Sequence, residues 1–339
     1  MEASPQSPVE APTIAFHHRV IAASVLAGLA IIGFFGNTLV IFSVITTKKL
    51  RTVTNILVVN LAIADILTCS SLPFQIAGLL SQTGSYPIPE IICAIVAGVG
   101  TTSICCSVST LVAIGFVRWY VITRSIRGHQ GLNTPKNIAK VVLFIWMESI
   151  ALMIIPPVLG LGTLGYYRYY GLCTLTDTNP LASVFVIFQG SVIITALALT
   201  LTFYGLILRH VLQHNKQFRD KFADDKATGS SSAETQNNKA SSSSSQDSRP
   251  PMIKAINQKE IEITKNVFTV VCLFMICFLA QSVNFLIPGI SLFTLYGYMI
   301  LMANSVVNPI IYGLKHPNFQ EAFKRILCRR RRPLEHVSN

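Results

Sequence analysis

The chain has 339 residues, of which 51% are apolar and only 12% are charged, and its mean hydropathy is +0.53. Soluble domains carry about 25% charged residues, so this composition excludes a set of soluble domains and indicates a polytopic membrane protein. The net charge is +12. All Lys and Arg residues except Arg19 and Arg168 lie on one side of the predicted spans, so the positive-inside rule explains the basicity and no nucleic-acid partner is needed.

Seven apolar segments are each long enough to cross a bilayer: 20–45, 53–80, 90–122, 137–160, 181–209, 262–287 and 290–313. Lipid offers no hydrogen bonds to an exposed backbone, so the segments are predicted to be helices. The fold class is therefore an all-α membrane protein, a seven-transmembrane helix bundle spanning residues 20–313. The charge distribution places the N-terminus, residues 1–19, outside the cell and the C-terminus in the cytoplasm, as in a multi-pass plasma-membrane protein.

Two regions outside the spans have a distinctive composition. Residues 222–258 are Ser-rich and are predicted to form a disordered third cytoplasmic loop, either a phosphorylation platform or a passive linker. In the tail, residues 314–339, the apolar residues recur at helical spacing: Phe319, Phe323, Ile326 and Leu327. This pattern predicts a short amphipathic helix on anionic membrane lipid, with Cys328 as a palmitoylation candidate.

Polar side chains inside the predicted spans are costly in lipid, so each is a candidate functional residue. The acidic ones are Asp65 and Glu148, and we find no role for Glu148 in the sequence. Around Asp65 we expect a set of amides and hydroxyls: Asn37, Ser107, Asn304, Ser305 and Asn308. Oxygen ligands of this kind suit a hard monovalent cation. The alternative is a purely structural network of hydrogen bonds between helices.

Five motifs, in register along the chain, resemble the signatures of the class A (rhodopsin-like) G-protein-coupled receptors over about residues 20–328. They are Gly36-Asn37-x-x-Val40, Asn60-Leu61-Ala62-x-Ala64-Asp65, Trp146, Pro156 ten residues later, and Asn308-Pro309-Ile310-Ile311-Tyr312. The resemblance implies an allosteric sodium ion at Asp65, Ser107, Asn304, Ser305 and Asn308, and a disulfide between Cys93 and Cys173. The other six cysteines are predicted to be packed thiols.

The resemblance also implies a set of residues for activation and G-protein coupling: Arg118, Glu260, Tyr204, Tyr312, Asn308, Pro309 and Phe274. Arg118 matches the arginine of the family's Asp-Arg-Tyr motif, but Val117 stands in place of the acid and Trp119 in place of the tyrosine. The usual prolines of spans five and six are absent as well. Without the adjacent carboxylate, we expect raised basal signalling.

By the same resemblance the ligand pocket is lined by uncharged residues: Gly100, Thr101, Ile104, Phe188, Phe278, Gln281, Ser282, Phe285, Tyr298 and Met302. Gly100 stands where amine receptors have an aspartate, so biogenic amines are disfavoured. An apolar cleft with few polar groups favours a neutral, lipophilic extracellular ligand, which the sequence does not identify further. The alternative interpretation is that these side chains only pack the helices of the bundle against one another.

Residues 156–174 resemble opsins and, more loosely, melatonin receptors. Met302 stands where a visual pigment has the lysine that binds retinal, which argues against covalent retinal or another cofactor. The implied partners are a heterotrimeric G protein, arrestin and receptor kinases. There are three alternatives to a coupling receptor: a receptor fold that no longer couples and acts as a decoy or dimer partner, a transporter, and an intramembrane enzyme. The transporter is disfavoured because no inverted repeats or broken helices are visible. An enzyme is disfavoured because no catalytic constellation is present.

Overall fold

The computed structural model describes residues 14–124, 134–176, 180–228, 272, 276 and 291–328. Its helices are α1 (Phe16–Thr46), α2 (Val53–Leu80), α3 (Glu90–Arg124), α4 (Pro135–Met153), the single turn α5 (Ile155–Val158), α6 (Ala182–Thr228), α7 (Ser291–Lys315) and α8 (Pro317–Leu327). A 3-10 turn, Lys48–Leu50, joins α1 to α2. Two strands, β1 (Thr163–Tyr167) and β2 (Leu172–Thr176), form an antiparallel hairpin between α5 and α6.

Six helices among the described residues are long and apolar enough to cross a membrane. They correspond to the predicted spans one to five and seven. The predicted sixth span, 262–287, lies outside the described residues apart from Cys272 and Ile276. The sequence predicted an all-α fold and not this hairpin. Within the described residues, the hairpin is where the structure differs from that all-α prediction.

Local signals explain where some of these helices begin. Thr52 and Thr134 each cap a helix by accepting a hydrogen bond from the backbone N–H three residues on, and Pro135 occupies the first helical position of α4. Helix α1 begins at Phe16, inside the predicted N-terminal segment 1–19. Its first turn is held against α7 by a 2.8 Å hydrogen bond between His18 Nδ1 and the Tyr296 hydroxyl.

One boundary differs clearly from the prediction. Helix α6 continues to Thr228 and so includes residues 222–228, which the sequence analysis assigned to the disordered loop. Lys, Gln, Arg and Ala are good helix formers, and they are frequent in the segment just before the Ser-rich run. The low-complexity composition therefore predicts the loop but not its first residue.

The core consists of apolar clusters between the helices. The largest one joins α2, α3, α4, α6 and α7, and includes Leu57, Leu111, Val117, Ile138 and Tyr204. Close approach between α1 and α7 depends on Gly36, because a Cβ there would lie 2.8 Å from Cγ of Pro309. Helices α1 and α7 can therefore pack backbone to backbone, as small residues allow in membrane proteins.

Helix α8 folds back under the bundle. Phe319 is 1% exposed and its ring stacks on Tyr312 at 5.1 Å, while Glu321 forms ion pairs with Lys49 and Arg325. The predicted apolar face therefore divides: Phe319 packs into the bundle, whereas Leu327 is 71% exposed. Cys328 is an exposed thiol at the end of this helix.

Candidate functional site: a polar centre between a capped end and an arginine end

A polar cluster lies at the centre of the bundle, around Asp65. The carboxyl group is completely buried, and it accepts hydrogen bonds from Ser107 Oγ (3.2 Å) and Asn308 Nδ2 (2.8 Å). The hydroxyl of Ser305 interacts with the same carboxyl group. Asn37 on α1 donates to the Ser305 backbone carbonyl at 2.8 Å, so four helices contribute to one cluster.

The structure therefore brings Asp65 together with Asn37, Ser107, Ser305 and Asn308, and it buries Asn304 next to Ser305 in the chain. Asn304 and Ser305 are each 5% exposed, Ser107 is 3% and Asn308 is 1% exposed. The amide oxygens of Asn37, Asn304 and Asn308 are buried and have no hydrogen-bond partner among the described residues. Buried carbonyl oxygens normally have a partner, so these oxygens have unmet capacity to bind a cation or water beside a carboxylate.

A second polar contact ties α2, α3 and α4 together on the far side of Asp65. Asn60 accepts a hydrogen bond from Trp146 Nε1 at 2.9 Å and donates to Thr110 Oγ1 at 2.8 Å. This network fixes α4 against α2 and explains the position of the Asn60 and Trp146 motifs. Its role is structural because each of these groups is satisfied by the others.

One end of the bundle, here named the disulfide end, is covered by the hairpin. Cys93 at the start of α3 and Cys173 in β2 form a disulfide with a Cα–Cα distance of 5.1 Å, which confirms the predicted pair. Gln75 on α2 donates to the Cys173 carbonyl (2.9 Å) and accepts from the Cys173 N–H (2.7 Å). One side-chain amide thus satisfies both backbone groups of the bridged cysteine.

Further contacts anchor this end of the bundle. Arg19 Nη2 of α1 donates to the carbonyls of Gly78 (3.2 Å) and Ser81 (2.6 Å) at the end of α2 and so ties these two helices together. The Tyr166 hydroxyl of β1 donates to the same Gly78 carbonyl and holds the hairpin against α2. The turn passes through Gly171 at φ 70°, where a side chain would be strained. The sequence analysis missed Gln75 and Arg19 as anchors. The available signal was a polar Gln inside an apolar span.

The predicted ligand-pocket residues divide into four groups. Ile104, Tyr298 and Met302 pack in one apolar cluster, together with Leu172 of the hairpin. Gly100 faces Ser71 of α2, and Thr101 hydrogen-bonds to the backbone of its own helix. Phe188 is 38% exposed and stacks on Phe185, outside that cluster. The remaining four lie outside the described residues: Phe278, Gln281, Ser282 and Phe285.

At the opposite end, here named the Arg118 end, the predicted activation residues approach one another. The positive charge of Arg118 acts on Tyr204 of α6, Tyr312 of α7 and His316 between α7 and α8. Tyr204 packs against Gly115, where a Cβ would lie 3.2 Å from the ring. Glu260 and Phe274 lie outside the described residues.

Among the described residues, no ion pair restrains the guanidinium of Arg118. Its Nε is buried without a hydrogen-bond partner among the described residues, and both ion pairs described in the structure involve Glu321 instead. Val117 is 1% exposed and belongs to the large apolar cluster. Burial, followed by the charge of Arg118, lowers the pKa of His316 to about 4, so this imidazole is neutral at cytosolic pH.

These features define a polytopic helical membrane protein with a capped end, a buried carboxyl group at its centre and, at the other end, an arginine whose Nε has no partner among the described residues. The chain belongs to the rhodopsin family of seven-transmembrane receptors, whose family signature it matches over residues 36–312. The protein is thus a seven-transmembrane helical bundle with an additional C-terminal helix, and it is a receptor-family protein, not an enzyme.

Individual relatives agree with this placement. The chain is 26% identical to a Gq-coupled rhodopsin of Mizuhopecten yessoensis, aligned over 87% of this chain and 56% of that protein, so it spans only about half of that relative. It is 29% identical to a rhodopsin of Camponotus atriceps, over 88% of this chain and 75% of the relative. The crystal structure of squid rhodopsin superposes with a TM-score of 0.76 at 18% identity, covering 94% and 88% of the two chains, and shows the same fold.

Proposed function

We propose that this protein is a receptor that passes a ligand-dependent change from the disulfide end to a heterotrimeric G protein at the Arg118 end. The disulfide end would then face the outside of the plasma membrane, and the Arg118 end, with arrestin and receptor kinases as further partners, would face the cytosol. The charge distribution supports this orientation. Cys328, exposed beside the basic tail, is the palmitoylation candidate.

The observation that carries the proposal is the environment of Arg118. A buried guanidinium nitrogen without a partner is expensive, so it persists where it serves a function. Tyr204 and Tyr312, from two other spans, lie within reach of its charge. A G-protein segment that offers backbone carbonyls to this arginine would satisfy its unmet donor capacity.

The test is nucleotide exchange on purified heterotrimeric G proteins by the full-length protein in lipid nanodiscs. We expect Arg118→Ala to lower the exchange rate at least about tenfold, because the contact that holds the open G protein is removed. Arg51→Ala is the matched control, since Arg51 is an exposed arginine at the same end, bonded to the Ile45 carbonyl. Equal rates for Arg118→Ala and wild type would exclude this role.

A second candidate function is a receptor fold that no longer couples and instead acts as a decoy or dimer partner. Val117 favours it, because the carboxylate that the resemblance expects beside Arg118 is missing. The same assay separates the two functions: a protein that folds and reaches the membrane, yet accelerates exchange on no G-protein class, is the decoy.

The ligand that we propose is neutral and lipophilic. Three described pocket residues, Ile104, Tyr298 and Met302, share an apolar cluster, and none is charged. Met302 is 2% exposed, and a thioether has no amine for a Schiff base. Incubation of the purified protein with 11-cis or all-trans retinal is therefore expected to give no stable visible absorption band that survives denaturation in acid. A stable adduct would disprove this view of the pocket.

We further propose that the Asp65 cluster binds a sodium ion, held by Asp65, Ser107 and the amide oxygens of Asn304 and Asn308, with Ser305 and Asn37 alongside. The three amide oxygens that have no hydrogen-bond partner support this assignment. Sodium chloride should raise the thermal midpoint of the wild type relative to the same concentration of choline chloride, and Asp65→Asn should abolish the difference. If Asp65→Asn kept the full sodium effect, the cluster would be a structural network.

A further inference from the structure

Glu148 is an ionisable residue inside a span that the proposed function leaves unexplained. It lies on α4, about 20 Å along the span from Pro135 and about 15 Å from Val158, at 1.5 Å per residue. That position is near the middle of the predicted crossing. The side chain is partly buried, and it acts on the Cys105 thiol of α3. A carboxyl group at this depth is a candidate binding residue by default.

The neighbours of Glu148 form what we name the α3–α4 polar seam: Thr102, Cys105 and Ser109 of α3, and Glu148 and Ser149 of α4. These residues recur at spacings of three and four on α3, and so share one face of that helix. Cys105 interacts with Ser109, Ser149 and Glu148, which ties the two helices together along the seam.

Two hydroxyl groups of the seam have unmet hydrogen-bonding capacity. The Thr102 side chain is 7% exposed and its hydroxyl has no hydrogen-bond partner among the described residues, while the completely buried Ser149 hydroxyl meets only the Cys105 thiol, so both oxygens keep free acceptor capacity. Many other Ser and Thr side chains in these spans bond the carbonyl four residues earlier, as Thr110 does. The seam therefore offers a carboxyl group and two hydroxyl oxygens with free acceptor capacity along one helix–helix contact.

The seam borders the surface of the bundle that lipid covers. On α4 the residues beside Glu148 are strongly exposed: Leu143 by 64%, Phe144 by 67% and Met147 by 63%. Within the described ranges, both ion pairs use Glu321, so no Lys or Arg there neutralises Glu148. The charged form of a carboxyl group at this depth requires a counterion, and the exposed apolar side of α4 is an open route by which one could arrive.

We infer that the α3–α4 polar seam is a second binding site, which takes the protonated amino group of a long-chain lipophilic amine dissolved in the bilayer. Glu148 supplies the countercharge, and the hydroxyls of Ser149 and Thr102 accept the remaining ammonium hydrogens. The alkyl chain of the amine lies along Phe144 and Met147. Charge complementarity selects the amine, because a neutral lipid leaves the carboxylate without a counterion.

The experiment uses the full-length protein in phosphatidylcholine nanodiscs and hexadecylamine with a nitroxide label at the far end of its chain. Electron paramagnetic resonance measures the motionally restricted fraction as the amine is titrated. We expect a saturable restricted component for the wild type. Its apparent affinity should fall about tenfold or more in Glu148→Gln and severalfold in Ser149→Ala.

The matched controls are Glu90→Gln, which changes a carboxylate at the start of α3, and the equally labelled hexadecanol. We expect Glu90→Gln to bind as the wild type and the alcohol to show no saturation. Retention of amine binding by Glu148→Gln, or equal restriction of the alcohol, would overturn the inference. A wild-type dimer that Glu148→Gln converts to a monomer, without any amine binding, would also overturn it and assign the seam to contact between two copies. Thermal melting of each variant verifies that it is folded.

Discussion

Removing the disulfide by replacing Cys93 and Cys173 with Ala is expected to lower the free energy of unfolding by about 4 kcal/mol. The bridge closes a loop with a sequence separation of 80, and loops of this length gain most from a cross-link. It also positions the backbone of Cys173 against Gln75, so the two hydrogen bonds of that amide are lost with it. The measurement is the thermal midpoint of the purified protein, which should fall by several degrees.

Cys328→Ala is the matched control, because Cys328 is an exposed free thiol whose loss removes no described contact. An additional variant, Gln75→Leu with the disulfide intact, separates the cross-link from the hydrogen bonds. It should lose part of the stability, since the N–H and carbonyl of Cys173 are then buried without partners. An unchanged midpoint in the double-alanine protein would show that the hairpin is held by its other anchors alone.

Introducing an acid beside the arginine is expected to reduce basal signalling. Val117→Asp should lower the ligand-independent rate of nucleotide exchange by roughly fivefold, because a pairing free energy of about 1 kcal/mol with Arg118 shifts a two-state equilibrium by about that factor. Arg118 has an unpartnered Nε among the described residues, so it is available for this pair. Nucleotide exchange per folded receptor is the readout.

Val117 is 1% exposed inside an apolar cluster, so any polar residue there costs stability. Val117→Asn therefore serves as the control, because it has the size and polarity of Asp but no charge. We expect the basal rate of Val117→Asn to stay near that of the wild type. Equal basal rates for the Asp and Asn variants would disprove the idea that the missing carboxylate raises basal activity.

Much of the fold follows from hydropathy alone. The apolar runs predict the starts and ends of α2 and α3 closely. A helix that leaves the lipid ends near polar or charged residues, and its first turn is often capped, as the first turn of α2 is by Thr52. The hairpin escaped prediction, since a short pair of strands over the end of a bundle has no hydropathy signal. The same applies to the end of α6 at Thr228, where helix propensity, and not membrane length, sets the boundary.

Candidate site residues were predicted unevenly. The family motifs predicted that Asp65, Ser107 and Asn308 would lie close together, and the hydrogen bonds of Asp65 to the other two show this contact. The prediction was possible because each motif gives the depth of its residue within its own span. Phe188 was placed in the pocket, but its ring packs on Phe185 outside the described cluster. The rotation of a helix about its axis decides whether a side chain points into the bundle. In an almost uniformly apolar span such as that in α6, the sequence has too little polar–apolar periodicity to predict this rotation.

The sequence by itself determined the membrane class, the position of the described spans along the chain, the Cys93–Cys173 pair implied by the resemblance, and the absence of an acid directly before Arg118. Only the tertiary structure decided which polar groups have partners: Gln75 bonds both backbone groups of Cys173, whereas the amide oxygens of Asn37, Asn304 and Asn308 have no partner among the described residues. The physical reason is that hydropathy is a property of each segment. A hydrogen bond between helices depends on the rotation and depth of both, which are set when the helices pack together.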